Sequence, residues 1–203
     1  LIDYTMILLR RYLIYFFIVV LIAVSFTYLS AKLFPRFAFI ENDIWTILPS
    51  PGDPNRDLYT RAAVAQYGTF ALKKPESAYF SASIDIEDEP LDGKCLYKLT
   101  GSDIESRWWS ITVYGSDGFL INNNEKLYSF NSENVDFDVN GGFEIFFASS
   151  NDFINEVSNS NWLRVSEIGS FSISLRVYLP GEEFFSNLRR VNLPIIEKIK
   201  CAQ

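Results

Sequence analysis

From residue 78 onward, apolar and polar residues change places at every second position. Phe80, Ala82, Ile84 and Ile86 alternate with Tyr79, Ser81, Ser83 and Asp85. Trp109, Ile111 and Val113 fall on one face of the next long run, and Trp108, Ser110, Thr112 and Tyr114 fall on the other. Asp117-Gly118 follows, a pair whose backbone tolerates a tight turn, so Arg107 to Asn122 is predicted as strand, turn and second strand. Lys94 to Thr100 and the short Leu127 to Phe130 are also expected to be extended. Val135, Phe137 and Val139 alternate up to Asn140-Gly141-Gly142, and Phe143, Ile145 and Phe147 alternate beyond it. The clearest strand is Phe171 to Leu179, where every odd position is apolar, and Pro180-Gly181 ends it. Many short strands with turns between them predict an antiparallel sandwich or barrel.

Two segments carry a helical signal. Asp53 as cap, Pro54 in the first turn and Gly68 as stop bracket a helix whose stripe is Leu58, Ala62 and Ala65, with Arg61 beside it. Glu182 to Leu188 suits one short helix. Between them lies an Asn/Ser-rich loop, 149–161. The segment 32–52 contains Pro35, Pro49, Pro51 and Gly52 and is expected to be a linker.

The N-terminus differs from the rest. Tyr12 to Ala31 is 20 residues without a charge, and a helix of about that length spans the hydrocarbon core of a bilayer. Arg10-Arg11 precede it, and Tyr12, Tyr15 and Tyr28 lie near its ends, where aromatic rings favour the interface. A cleaved signal peptide has a shorter apolar core and a small-x-small site. Leu29 occupies the −3 position of the best site, before Lys32, so an uncleaved signal anchor is the expected reading. Domain organisation follows: residues 1–11 as a cytoplasmic n-region, 12–31 as a transmembrane signal anchor, 32–52 as a linker and 53–203 as the β domain.

Charge and composition exclude several function classes. Of the net charge of −7, residues 1–36 contribute four basic residues and one acid, which leaves the remainder strongly acidic. An acidic domain does not bind nucleic acid. The chain has no histidine, which removes Ser-His-Asp and Cys-His catalysis and His-ligated metals. No cofactor is implied. The two cysteines, Cys95 and Cys201, permit one disulfide in an oxidising compartment or stay as thiols in a reducing one.

The acidic run Asp85 to Gly93 holds five carboxylates in nine residues. Calcium loops have such compositions, but Pro90 and Leu96 stand where an EF-hand needs Gly and the last Glu. A solvated turn is the better reading. Paired carboxylates elsewhere would suit a hydrolase acting on envelope polysaccharide, which is the alternative function. Trp108, Tyr114, Trp162 and Tyr178 sit on the polar side of their alternation or in a loop. Such rings stack on sugars and other flat ligands. With Asn161, Arg61 and Arg176 as hydrogen-bond donors, they make up the candidate binding residues. The competing reading packs them beneath the helix or linker.

Several segments together resemble the bacterial family called domain of unknown function 1214. They are Leu58-Tyr59-Thr60-Arg61-Ala62, Leu91-Asp92-Gly93-Lys94-Cys95, Trp108 to Tyr114 with Asp117-Gly118, Asn161-Trp162-Leu163, and Phe171 to Tyr178 with its Leu175-Arg176-Val177-Tyr178 core. Where the family has Asn-Trp-Leu-Pro, Arg164 stands in place of Pro. The resemblance implies a mainly β fold: a jelly-roll-like antiparallel β-sandwich with one or two short helices, preceded by a transmembrane helix. It is similar to the short, membrane-anchored members of Gram-negative bacteria, with the domain in the periplasm. Cys95 and Cys201 resemble cysteines of those members, which implies a disulfide. Family likeness supplies no reaction. The expected function is a non-catalytic envelope module that meets the membrane through its helix and a glycan, lipid headgroup or protein through its domain.

Overall fold

The computed structural model describes residues 2–33, 39–48, 51–67, 71–123, 125–149, 161–165 and 169–202. Gly68 and nearly all of the Asn/Ser-rich loop lie outside them. Two compact units result, residues 1–38 with 56–69, and residues 39–55 with 70–203.

The first unit holds the helices. Helix α1 (Ile2–Leu33) outruns the apolar stretch at both ends, because Arg10, Arg11 and Lys32 are good helix formers and exposed positions accept them. Its Tyr4–Leu33 stretch contains an 18-residue window of mean hydropathy 2.4 and is long and apolar enough to cross a membrane. Helix α2 spans Leu58–Tyr67. Its cap is Asp57, not Asp53: Asp57 Oδ1 accepts from the Tyr59 and Thr60 amides at 2.9 and 3.0 Å, and Oδ2 accepts from the Thr60 hydroxyl at 2.6 Å. The hydroxyl and amide of Thr60 hold the Asp57 carboxyl below the usual carboxylate range. Asp53 instead accepts from the Asn55 amide and turns the chain before the helix. Leu58, expected on a packed stripe, is 78% exposed.

The second unit is a sandwich of two sheets. Strands β1 (Ile40–Asn42), β2 (Trp45–Ile47), β3 (Ser77–Ala82), β9 (Phe171–Pro180), β5 (Ser106–Gly115) and β6 (Ser129–Asn131) form one sheet in the order β1-β2-β3-β9-β5-β6. Strands β10 (Ile195–Cys201), β4 (Cys95–Ser102), β7 (Gly142–Ala148) and β8 (Trp162–Arg164) form the other in the order β10-β4-β7-β8. All pairings are antiparallel except β7 with β8. The core lies between the sheets. Trp109, Ile111 and Val113 meet Leu99, Phe143, Ile145 and Phe147 there. Trp109 is stacked on Phe143 at 4.8 Å, and its indole donates to Asp103 Oδ1 at 2.9 Å.

The expected linker is not all linker. Strands β1 and β2 lie inside 32–52, and Trp45 is buried with its indole donating to the Pro194 carbonyl at 2.7 Å. Three-residue strands are too short to show alternation. β10 was hidden for another reason: a bulge between Lys198 and Lys200 shifts its register and breaks the period. The second arm of the Asp117-Gly118 hairpin shrinks to a single bridge, Tyr114 with Leu120. Phe119, on that arm, is 73% exposed, so burial does not reward the pairing, and β5 takes β9 and β6 as neighbours. The run 135–139 likewise reduces to a bridge of Phe137 with Phe143.

Candidate functional site

Because β-strand side chains alternate, the outward faces of the sheets carry the residues that the core leaves over. Trp108 stands opposite Tyr178, Ser110 opposite Arg176, Thr112 opposite Ser174, and Tyr79 opposite Arg176 on its other side. Register sets Trp108 directly beside Tyr178, while the Tyr79 ring, whose backbone stands opposite Arg176, reaches Tyr178 diagonally from β3 to β9. The Tyr178 ring lies 6.4 Å from Tyr79, edge to face, and 5.5 Å from Trp108. The Tyr79 hydroxyl accepts from the Leu72 amide at 3.1 Å. Burial first, then Tyr79, pushes the Tyr178 hydroxyl above the ordinary tyrosine value, with Arg176 opposing.

Arg176 extends from the next outward position of β9. Its Nη1 donates to the Thr112 hydroxyl at 3.3 Å, its Nη2 donates to the Tyr114 hydroxyl, and its guanidinium lies 5.5 Å from the Tyr114 ring centre. It is half-buried, yet no carboxylate among the described residues pairs with it. Four of the candidate residues, Trp108, Tyr114, Arg176 and Tyr178, therefore share one face. Tyr79 completes the aromatic cluster. It was legible in the alternation, as the polar-side neighbour of Phe80, but was not singled out.

The remaining candidates lie elsewhere. Asn161 is 2% exposed, and its amide is used inside the protein. Nδ2 donates to the Asp136 and Glu144 carbonyls at 2.9 and 3.0 Å, and Oδ1 accepts from the Asp136 amide at 2.9 Å. It staples a loop to the four-stranded sheet and is removed from the binding set, since it has no amide hydrogen left to offer. Trp162 sits on the outward face of that sheet, packed against Leu96, Phe146 and Ala148. Arg164 covers its ring at 5.0 Å, pairs with Glu125 at 3.1 Å and donates to the Ser149 carbonyl. The Arg that replaces the family's Pro thus acts as a clasp. Arg61 is an exposed residue of α2, in the other unit.

The acidic run is a structured turn. Asp85 is fully buried. Its Oδ1 accepts from the Glu87 and Glu89 amides, and its Oδ2 lies 3.6 Å from Lys198 Nζ. Desolvation would lower the Lys198 ammonium, but the Asp85 and Glu87 carboxylates outweigh it and hold its pKa above the ordinary lysine value. Among the described residues, no three His, Cys, Asp or Glu side chains gather as a metal site. Cys95 and Cys201 are bonded across β4 and β10, where they are direct register partners.

Comparison with other proteins follows the geometry. The sequence profile of a family described as "Protein of unknown function (DUF1214)" matches residues 76–182, a span that runs from β3 past β9 and contains the whole aromatic face. Among solved structures, the VPA0106 protein from Vibrio parahaemolyticus is similar, with a TM-score of 0.59 and 22% identity over 72% of this chain and 36% of its own. That likeness shows a shared fold. A putative uncharacterized protein from Burkholderia cenocepacia matches with a TM-score of 0.45 and 17% identity over 89% of this chain and 42% of its own. The chain spans less than half the length of either. Among curated proteins, none matches the chain.

Proposed function

The chain belongs to the DUF1214 family, and on that footing we propose that it is a membrane-anchored periplasmic binding module whose ligand surface is the outward face of the six-stranded sheet. One observation carries the reading: the Tyr79–Tyr178–Trp108 cluster adjoins a guanidinium that is held by hydroxyls and, among the described residues, has no carboxylate paired with it. The rings supply apolar faces for sugar rings, and Arg176 supplies a directional donor for a carboxylate or phosphate substituent. An envelope glycan fits this pair of features better than an uncharged partner does. Protein and lipid headgroup ligands remain outcomes of the test.

The location rests on three supports. The N-terminal helix is long and apolar enough to cross a membrane, Arg10-Arg11 lie just before its apolar core, and the disulfide suits an oxidising compartment. A C-terminal alkaline phosphatase fusion should be active, and a fluorescent cytoplasmic reporter at the same place would overturn the orientation. The hydrolase alternative is not favoured. The groove beside β9 carries a single carboxylate, Glu182, whereas glycoside hydrolysis needs two acids flanking the bond.

The binding test uses the full chain in detergent, titrated with acidic envelope oligosaccharides and followed by tryptophan fluorescence. Trp108→Ala and Tyr178→Phe separate ring from hydroxyl. The expected result is about a tenfold loss for the former, the scale of one stacked ring, and little change for the latter. Arg176→Lys should weaken acidic ligands selectively, because it loses the planar fork. Equal affinity of all variants for every ligand tested would remove the face as a site.

A further inference from the structure

A groove lies at the C-terminal end of β9. The chain segments before β3 and after β9 leave a groove of about 460 Å³, within the range of small-ligand sites. Its walls are mostly apolar: Pro75, Leu179, Pro180 and Phe185 line it. Leu179 is 51% exposed and adopts a φ of 46°, a left-handed conformation that costs a leucine energy. Strain of this kind persists where the surrounding structure enforces it, and it clusters at ligand sites. Here it holds an apolar side chain outward. Two charges also face the groove, Lys74 and Glu182. Lys74 Nζ rests 5.0 Å from the centre of the Phe185 ring. Among the described residues neither charge makes an ion pair.

We infer that this groove binds the headgroup of a zwitterionic phospholipid of the phosphoethanolamine type. Two opposite charges that do not pair with each other match a ligand that carries both. Lys74 takes the phosphate as a point charge, and Glu182 takes the ammonium. Pro75, Leu179 and Phe185 take the glycerol and the first carbons of the acyl chains. An anionic lipid of the phosphatidylglycerol type offers Lys74 the same phosphate but gives Glu182 no cation, so the groove discriminates by charge complementarity. A chain with a helix of membrane-crossing length meets such lipids at high local concentration. The inference does not depend on the aromatic face.

The test is native mass spectrometry of the full chain, released from detergent containing equal amounts of phosphatidylethanolamine and phosphatidylglycerol. The wild type should retain the zwitterionic lipid about fivefold over the anionic one, the scale of one charge pair. Glu182→Gln should bring the ratio near one, whereas Lys74→Met should lower retention of both lipids, because both carry the phosphate. Leu179→Gly suits the φ of 46°, so it should leave the thermal midpoint intact while lowering lipid retention. Equal retention by the wild type, a ratio unmoved in Glu182→Gln, or retention of both lipids unmoved in Lys74→Met overturns the proposal. So does displacement by glycerophosphoethanolamine at the same concentration as the intact lipid, which would make the ligand a free zwitterion. Trp108→Ala should leave the ratio unchanged, and a loss there would assign the lipid to the aromatic face and overturn the groove.

Discussion

Asn161 allows the sharpest separation of scaffold from site. Its side chain makes three part-buried hydrogen bonds, two to carbonyls and one from an amide. Asn161→Ala removes all three and leaves polar groups of Asp136 and Glu144 short of partners. Each such bond contributes about 1 kcal/mol net, and orphaned groups add desolvation, so the expected loss is about 3–4 kcal/mol. Asn161→Asp keeps the size and one acceptor but replaces the donating amide with a carboxylate oxygen that faces two carbonyl oxygens. Its loss at neutral pH should be at least as large. Burial raises the pKa of the new acid, so the penalty should shrink as the pH falls through that raised value and a proton restores one donor. The assay is urea unfolding of the full chain in detergent, read by tryptophan fluorescence. With a slope of about 2 kcal/mol/M, the midpoint for Asn161→Ala should fall by about 1.5–2 M. A folded variant whose midpoint moves by less than about 0.5 M would refute the staple. If that variant also lost ligand, Asn161 would return to the binding set.

Other outcomes follow from the same structure. Cys201→Ser should cost about 2–4 kcal/mol, because the bond closes a long loop in the unfolded chain, and intact mass before and after alkylation checks that it forms. Burial raises the Tyr97 hydroxyl, with a smaller push from Asp85, and burial and Tyr79 raise Tyr178. A raised tyrosine pKa stabilises the fold below the ordinary value of about 10 and loses that contribution as the pH climbs through the folded value. A phenolate absorbance titration should therefore show late-titrating tyrosines, one fewer in each of Tyr97→Phe and Tyr178→Phe. Asp57 has the opposite sign: its lowered carboxyl supports α2 above the ordinary carboxylate value, and that support goes as the pH falls through the folded one. The Thr60 amide resonance should follow this titration, and Asp57→Ala should abolish it.

Most of the sheet was legible because burial on one side imposes a period of two. β9 shows why: its odd positions are buried and its even positions are not, from Phe171 to Val177. The signal failed where that coupling is absent. β1 and β2 are too short to hold a period, and β10 carries a bulge. Phe119 and Leu120 looked like a strand, yet both are exposed, so hydrophobicity alone was a poor witness. The site was legible in part. Trp108, Tyr114, Arg176 and Tyr178 share a face because strand register, which follows from β5 pairing with β9, sets them side by side. Trp162 looked alike in sequence but lies on a parallel edge strand of the other sheet, with Asn161 just before it. No local pattern distinguishes a ligand-facing amide from one that staples a loop.

The two outward faces differ in where interaction energy remains. On the four-stranded sheet, Lys98 lies 3.5 Å from both Glu144 and Glu197, and Arg164 pairs with Glu125 while covering Trp162. A ligand arriving there must break ion pairs to reach a cation. On the six-stranded sheet, Arg176 is held by two neutral hydroxyls and a ring. Those contacts orient the guanidinium without neutralising it. Its desolvation is already spent on folding, so an incoming carboxylate or phosphate meets a positioned charge and need not displace another anion. The same reasoning makes Arg176 costly to the fold in the absence of ligand. Arg176→Met should therefore leave stability nearly unchanged or raise it slightly, while removing acidic ligands, and an unfolding midpoint that falls as far as that of Asn161→Ala would make Arg176 a structural residue.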